Sequence, residues 1–222
     1  MPASPEADAA DLAAAPPRVV IIGCGALARE LLALTRDVPG VKVLAIDAQL
    51  HMRPSLIAAA VEARIGEARA RWGDDIRLFV AYADCGTAGS LDAVLDREGV
   101  ARIEGAHCYE FYAGAAAFAD LQEQEVGTFY LTDFLARQFD SIVWAGLGLD
   151  VHPELEPMYF GAYRRLVYLA QTDDPELTAR AHAAADRLGL AFERRETGFG
   201  DLAPAIQHAI QSATDPAIAR GA

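Results

Sequence analysis

Short apolar runs rich in Val and Ile alternate with stretches of helical spacing along almost the whole chain. That alternation constrains the fold more than any other feature. Arg18–Ile22, Val41–Ile46, Ile76–Tyr82, Arg102–Ile103, Leu166–Ala170 and Ala191–Arg195 read as strands. Ala26–Arg36 places Leu27, Leu31 and Leu34 on one helical face. Pro54 suits a helix start, and the run to Trp72 keeps Leu56, Ile57, Val61 and Ile65 at helical spacing. Further helices are expected from Ser90 to Glu98, Tyr109 to Gln124, Pro175 to Leu188 and Leu202 to Gln211, with a short one opening at His152-Pro153-Glu154. Thr128–Trp144 reads as a helix preceded by an extended turn, with Thr132 as a cap. Strands separated by helices imply an α/β fold: a mostly parallel sheet with helices on both faces, built of Rossmann-like βα units.

The expected organisation is one α/β domain over 18–212, with a disordered tail at 1–17 and a frayed one at 213–222. A chain of 222 residues, 53% of them apolar, can bury a full core without staples. The net charge of -13 repels phosphate backbones, so nucleic acid is excluded as a partner. No stretch is apolar enough to span a bilayer, and the Ala-, Pro- and acid-rich start does not read as a secretory signal. A cytoplasmic setting is expected, where thiols stay reduced.

The chain has three cysteines, an odd count that argues against a disulfide framework. Each follows a predicted strand. Cys24 lies in Gly23-Cys24-Gly25, Cys85 in Asp84-Cys85-Gly86 and Cys108 in His107-Cys108-Tyr109. A parallel sheet brings the C-terminal ends of its strands together, and ligands bind along that edge. The spacing therefore points to three thiolates converging on one zinc ion or iron–sulfur cluster, with a fourth position open for substrate. Asp84, His107, Tyr109 and Glu110 are the nearby candidates for acid–base or ligand-orienting roles. His51 and Arg53, after the second strand, are candidates for holding an anionic substrate. A buried cysteine also often only packs, and a cysteine nucleophile beside His107 is a further possibility of the same residues.

A second reading uses the same first loop. Gly23-Cys24-Gly25-Ala26-Leu27-Ala28 fits G-x-G-x-x-[GA] between a strand and a helix, and Asp47 follows Gly23 by 24 residues, near where an acid would hold a ribose hydroxyl. Gly23, Gly25 and Asp47 would then bind a nucleotide or S-adenosylmethionine. A tight structural turn accounts for the same glycines.

Cys24-Gly25-Ala26-Leu27-Ala28-Arg29-Glu30, Tyr82-Ala83-Asp84-Cys85-Gly86-Thr87, His107-Cys108-Tyr109-Glu110, Leu131-Thr132-Asp133-Phe134 and Gly148-Leu149-Asp150 together resemble a bacterial and archaeal family, domain-of-unknown-function family 1638. The resemblance covers Val19 to Gly200. It implies a place beside corrinoid methyltransferase systems, hence one-carbon or methyl metabolism, either as a metal-dependent enzyme on a small molecule or as a non-catalytic partner of a corrinoid protein or methyltransferase. No acidic motif of that family falls on Asp47.

Overall fold

The computed structural model describes residues 16–214. Most of the two expected tails lies outside the described residues. The chain runs β1 (Val19–Cys24), α1 (Ala28–Thr35), β2 (Val41–Ile46), α2 (Ile57–Trp72), β3 (Arg77–Ala81), α3 (Ser90–Glu98), β4 (Ala101–Arg102), α4 (Cys108–Ala113) and α5 (Ala115–Gln124). It continues through β5 (Thr128–Thr132), α6 (Asp133–Arg137), α7 (Glu156–Phe160), β6 (Arg165–Ala170), α8 (Pro175–Arg187), β7 (Ala191–Glu196) and α9 (Leu202–Thr214).

The fold is α/β and every strand pair is parallel. The strands divide between two sheets, ordered β2-β1-β3-β4 and β5-β6-β7, where the sequence suggested one. The break follows β4, which is only two residues long. Arg102 turns its guanidinium onto Asp92 at 2.6 Å and the Ile103 carbonyl at 2.8 Å, so the edge offers little further backbone for pairing.

Two other differences have local causes. Thr128–Thr132 forms a strand rather than an extended turn; its β-branched and aromatic residues suit a pleat, here buried along nearly its whole length. Thr132 then caps α6 as expected, its hydroxyl accepting from the Leu135 amide at 3.4 Å. The single helix expected over Tyr109–Gln124 is two. Gly114 stands at φ 80°, a left-handed conformation that ends α4 and starts α5 at an angle.

β1 is buried along its whole length and is touched by α1, α2 and α9. Val20, Ile21, Ile22, Leu31, Val61 and Ile65 anchor the first apolar core. That core also takes Tyr130, Val167 and Leu169 from the second sheet, and Leu202 and Ile206 from α9. A second core gathers Leu131, Leu135, Leu166, Tyr168, Leu177 and Ala181. Between the two halves, α6 packs on the turn that follows β1. Asp133, fully buried on α6, accepts from the Tyr168 hydroxyl at 2.7 Å, the Gln171 amide at 3.0 Å and the Thr172 hydroxyl at 2.5 Å.

Candidate functional site

The four parallel strands of the first sheet each deliver one ligand-type side chain to the same edge. β2 leads into the short turn Ala48–Met52, which carries His51. β1 ends on Cys24. The loop after β3 holds Cys85, and the segment after β4 enters α4 at Cys108. All four side chains line one small cavity of about 20 Å³, walled by Tyr82, Phe111, Leu27 and Ile57. That space suits roughly one water molecule.

Cys24 is buried, while Cys85 and Cys108 are partly exposed. Desolvation is the largest cause raising each thiol, and for Cys85 and Cys108 the other sulfurs add to it. Cys85 is pushed up to about 12. An activated nucleophilic cysteine needs the opposite shift, so the nucleophile reading loses its physical basis. Burial, and then nearby His107, hold His51 below the usual imidazole range and keep it neutral. The Tyr82 hydroxyl is buried beside the Cys24 thiol; burial, and then the three sulfurs, oppose its ionisation. As they stand, no three His, Cys, Asp or Glu side chains among the described residues are arranged to hold a metal ion. The sulfurs share a wall without forming a ready coordination shell.

The other expected site residues surround this cavity without lining it. Asp84 organises its own loop. It accepts from the Thr87 hydroxyl at 2.6 Å and from the Gly86 and Gly89 amides at 3.2 Å, and the Thr87 bond lowers its pKa. Glu110 accepts from the Ala106 amide at 2.7 Å. The His107 ring lies against Tyr109 and Phe118, with Nδ1 buried and unpartnered. Tyr109 stacks on Tyr130 of the second sheet, with ring centroids 5.5 Å apart.

Arg53 is exposed and lies in a separate, larger groove with Asp47. Asp47 caps the Ala48–Met52 turn through the Gln49 amide at 2.9 Å. The glycines of the first loop have packing reasons. A side chain at Gly25 would stand 2.7 Å from the Ile46 carbonyl oxygen, and one at Gly23 would strike Leu31. Neither adopts a positive φ.

The family described as "Protein of unknown function (DUF1638)" matches residues 45–206. The chain belongs to that family. The matched part of this DUF1638 chain contains His51, Arg53, Cys85 and Cys108 and starts after Cys24. No curated protein and no solved structure matches the chain.

Sequence reasoning missed the aromatic wall of the cavity. Tyr82 closes the third apolar run, two residues before Asp84, so strand-end position was the available signal. It also missed Glu30, which is 4% exposed with Oε2 unpaired, and for which spacing gave no signal beyond a place on α1.

Proposed function

We propose that this DUF1638 protein binds a single soft metal ion, zinc or iron, through Cys24, Cys85 and Cys108, and uses it on a small-molecule substrate. The observation that carries the reading is the one cavity shared by three sulfurs and His51. Thiolates crowded together repel one another, and a soft cation turns that repulsion into binding. The cavity's size favours one ion; an iron–sulfur cluster requires Tyr82 and Phe111 to withdraw. The sulfurs must also close in, since metal–sulfur bonds are ~2.3 Å long. Three thiolates leave a fourth position for water or substrate. His51, neutral and on the same wall, is placed to exchange a proton there.

A nucleotide or S-adenosylmethionine at Gly23, Gly25 and Asp47 is the weaker reading, because packing already accounts for both glycines. A link to corrinoid-dependent methyl metabolism, as enzyme or as docking partner, belongs to the proposal through the family resemblance alone. Cytoplasmic residence belongs to it too; no helix among the described residues is long and apolar enough to cross a membrane.

Anaerobic purification followed by elemental analysis and an absorbance spectrum tests the metal. The expected result is about one zinc or iron per chain, lost in Cys24→Ser, Cys85→Ser and Cys108→Ser. A brown protein with several irons replaces the single ion by a cluster. Metal-free protein that takes up neither zinc nor iron after reduction overturns the proposal. Binding of S-adenosylmethionine by that same sample would promote the alternative, and capture of a corrinoid protein without turnover would favour the docking role.

A further inference from the structure

We propose that the groove beside the cysteine cavity binds a small organic oxyanion bearing a hydroxyl or amino group, with Arg53 holding the charge and Asp47 accepting from the substituent. The groove measures about 620 Å³, within the range of small-molecule sites, and both residues line it. Its floor comes from the Ala48–Met52 turn, and its far wall from Gln138, Ser141, Ile142, Ala145 and Gly146.

Two independent observations mark it. Arg53 makes no ion pair or hydrogen bond through its side chain among the described residues, in a chain whose arginines are mostly paired to carboxylates. An exposed guanidinium without a partner, facing a groove, is a fork for a planar or tetrahedral oxyanion. The far wall is π-helical over Phe139–Trp144, a rare conformation that is frequent at functional sites. There the Ser141 hydroxyl donates to Gln138 Oε1 at 2.8 Å, and both residues line the groove.

The groove and the cavity share one strip of chain. Met52 and Arg53 line the groove, and adjoining His51 lines the cavity. The Cys85 loop reaches the same strip, since a side chain at Gly86 would meet the Pro54 ring at 3.4 Å. A molecule anchored on Arg53 thus has the His51 turn between it and the sulfurs. The inference depends on the metal reading only for what the inner end of the bound molecule meets; anion binding itself depends on Arg53.

Calorimetry with glycerate, serine and glycerol 3-phosphate, and with ethylene glycol as the neutral control, tests the groove. At least one oxyanion is expected to bind and the neutral diol is not. Arg53→Gln should weaken binding about tenfold or more, the loss of one charge-assisted pair. Ala145→Trp, which fills the groove from an exposed position, should abolish it, while Arg77→Gln should leave it unchanged. Carboxylate and phosphate arms identify the class. Binding of no oxyanion, or binding that Arg53→Gln and Ala145→Trp leave intact, overturns the inference. Cys85→Ser, which should lose the metal, should keep oxyanion binding. Oxyanion binding by the parent protein when it takes up neither zinc nor iron sinks the metal reading alone, and a metal-loaded parent protein that binds no oxyanion sinks the groove alone.

Discussion

The Cys85 amide donates a 2.7 Å hydrogen bond to the Ala106 carbonyl, and this bond joins the second cysteine loop to the third. The Asp84 amide adds another, to Gly105 at 3.0 Å. Between them they hold Cys85 at φ 49°, a left-handed conformation that costs a non-glycine residue roughly 1–2 kcal/mol. Strain of this kind persists where neighbours over-determine the backbone, and it concentrates at sites. Cys85→Gly should therefore stabilise the metal-free protein by about 1 kcal/mol in urea unfolding, while Cys85→Ser stays within about 1 kcal/mol of the parent. Both should fail to hold metal.

Ala88 shares the conformation at φ 51° but lies outside the cysteine cavity. Ala88→Gly is expected to raise stability by about 0.5–1 kcal/mol with metal content unchanged. A drop in metal content would mean that the loop's strain, rather than the thiol alone, sets the site.

Zinc added to reduced, metal-free protein should raise the melting temperature. At a hundredfold excess over Kd the gain is about 2.7 kcal/mol, read as a shift that Cys24→Ser and Cys108→Ser abolish. A shift that survives in either variant would place the ion elsewhere.

Glu30 gives a pH prediction. Burial is the largest cause raising its pKa, and the Asp133 carboxylate adds to it. The folded protein therefore keeps a proton that the unfolded chain releases. Its contribution to stability is fully present below the unfolded pKa and is lost as pH rises through the folded one. Glu30→Gln, a neutral isostere, should stabilise the protein at pH 7 by on the order of 1 kcal/mol. The advantage should fade at acid pH, as chemical denaturation across pH would reveal. An equal advantage at every pH would place the ionisation elsewhere.

Asp133 ties β5 to β6 through three donors from Tyr168, Gln171 and Thr172. Asp133→Ala orphans the buried Tyr168 hydroxyl and Gln171 amide, while the exposed Thr172 hydroxyl turns to water, and should cost about 2–4 kcal/mol in urea unfolding. Tyr168→Phe, which removes one bond and its donor together, should cost only about 1 kcal/mol.

Much of this was legible in the sequence because period and capping are local. Val41–Ile46 and Ser90–Glu98 form the elements their patterns predict. That Cys24, Cys85 and Cys108 line one cavity follows from parallel strand order, which aligns strand ends whatever their separation along the chain; their joint hold on a metal belongs to the proposal. Division into two sheets was not legible, since it turns on the shortness of β4 and on where Arg102 points. His51 was read as a substrate contact, yet it faces the sulfurs while its neighbour Arg53 faces the groove. Which way successive residues of a turn point is fixed by turn geometry, here the short turn Ala48–Met52, and no hydrophobic period encodes it. The Thr128–Thr132 strand was obscured because its apolar residues run straight into a helical pattern.

Helix α9 is the last element among the described residues, and its Leu202 and Ile206 seat in the core around β1. Gly200 admits this return, with φ 47° and a position where a side chain would run into the Phe111 and Tyr112 carbonyls. A nascent chain that has left the ribosome only as far as β7 still carries an open flank on its first sheet. Phe111, whose backbone receives that returning segment through the Asp201 amide at 2.7 Å, also walls the cysteine cavity. Completion of that wall therefore waits on the segment from Gly200 onward, and fragments truncated before Gly200 should not assemble a thiol pocket.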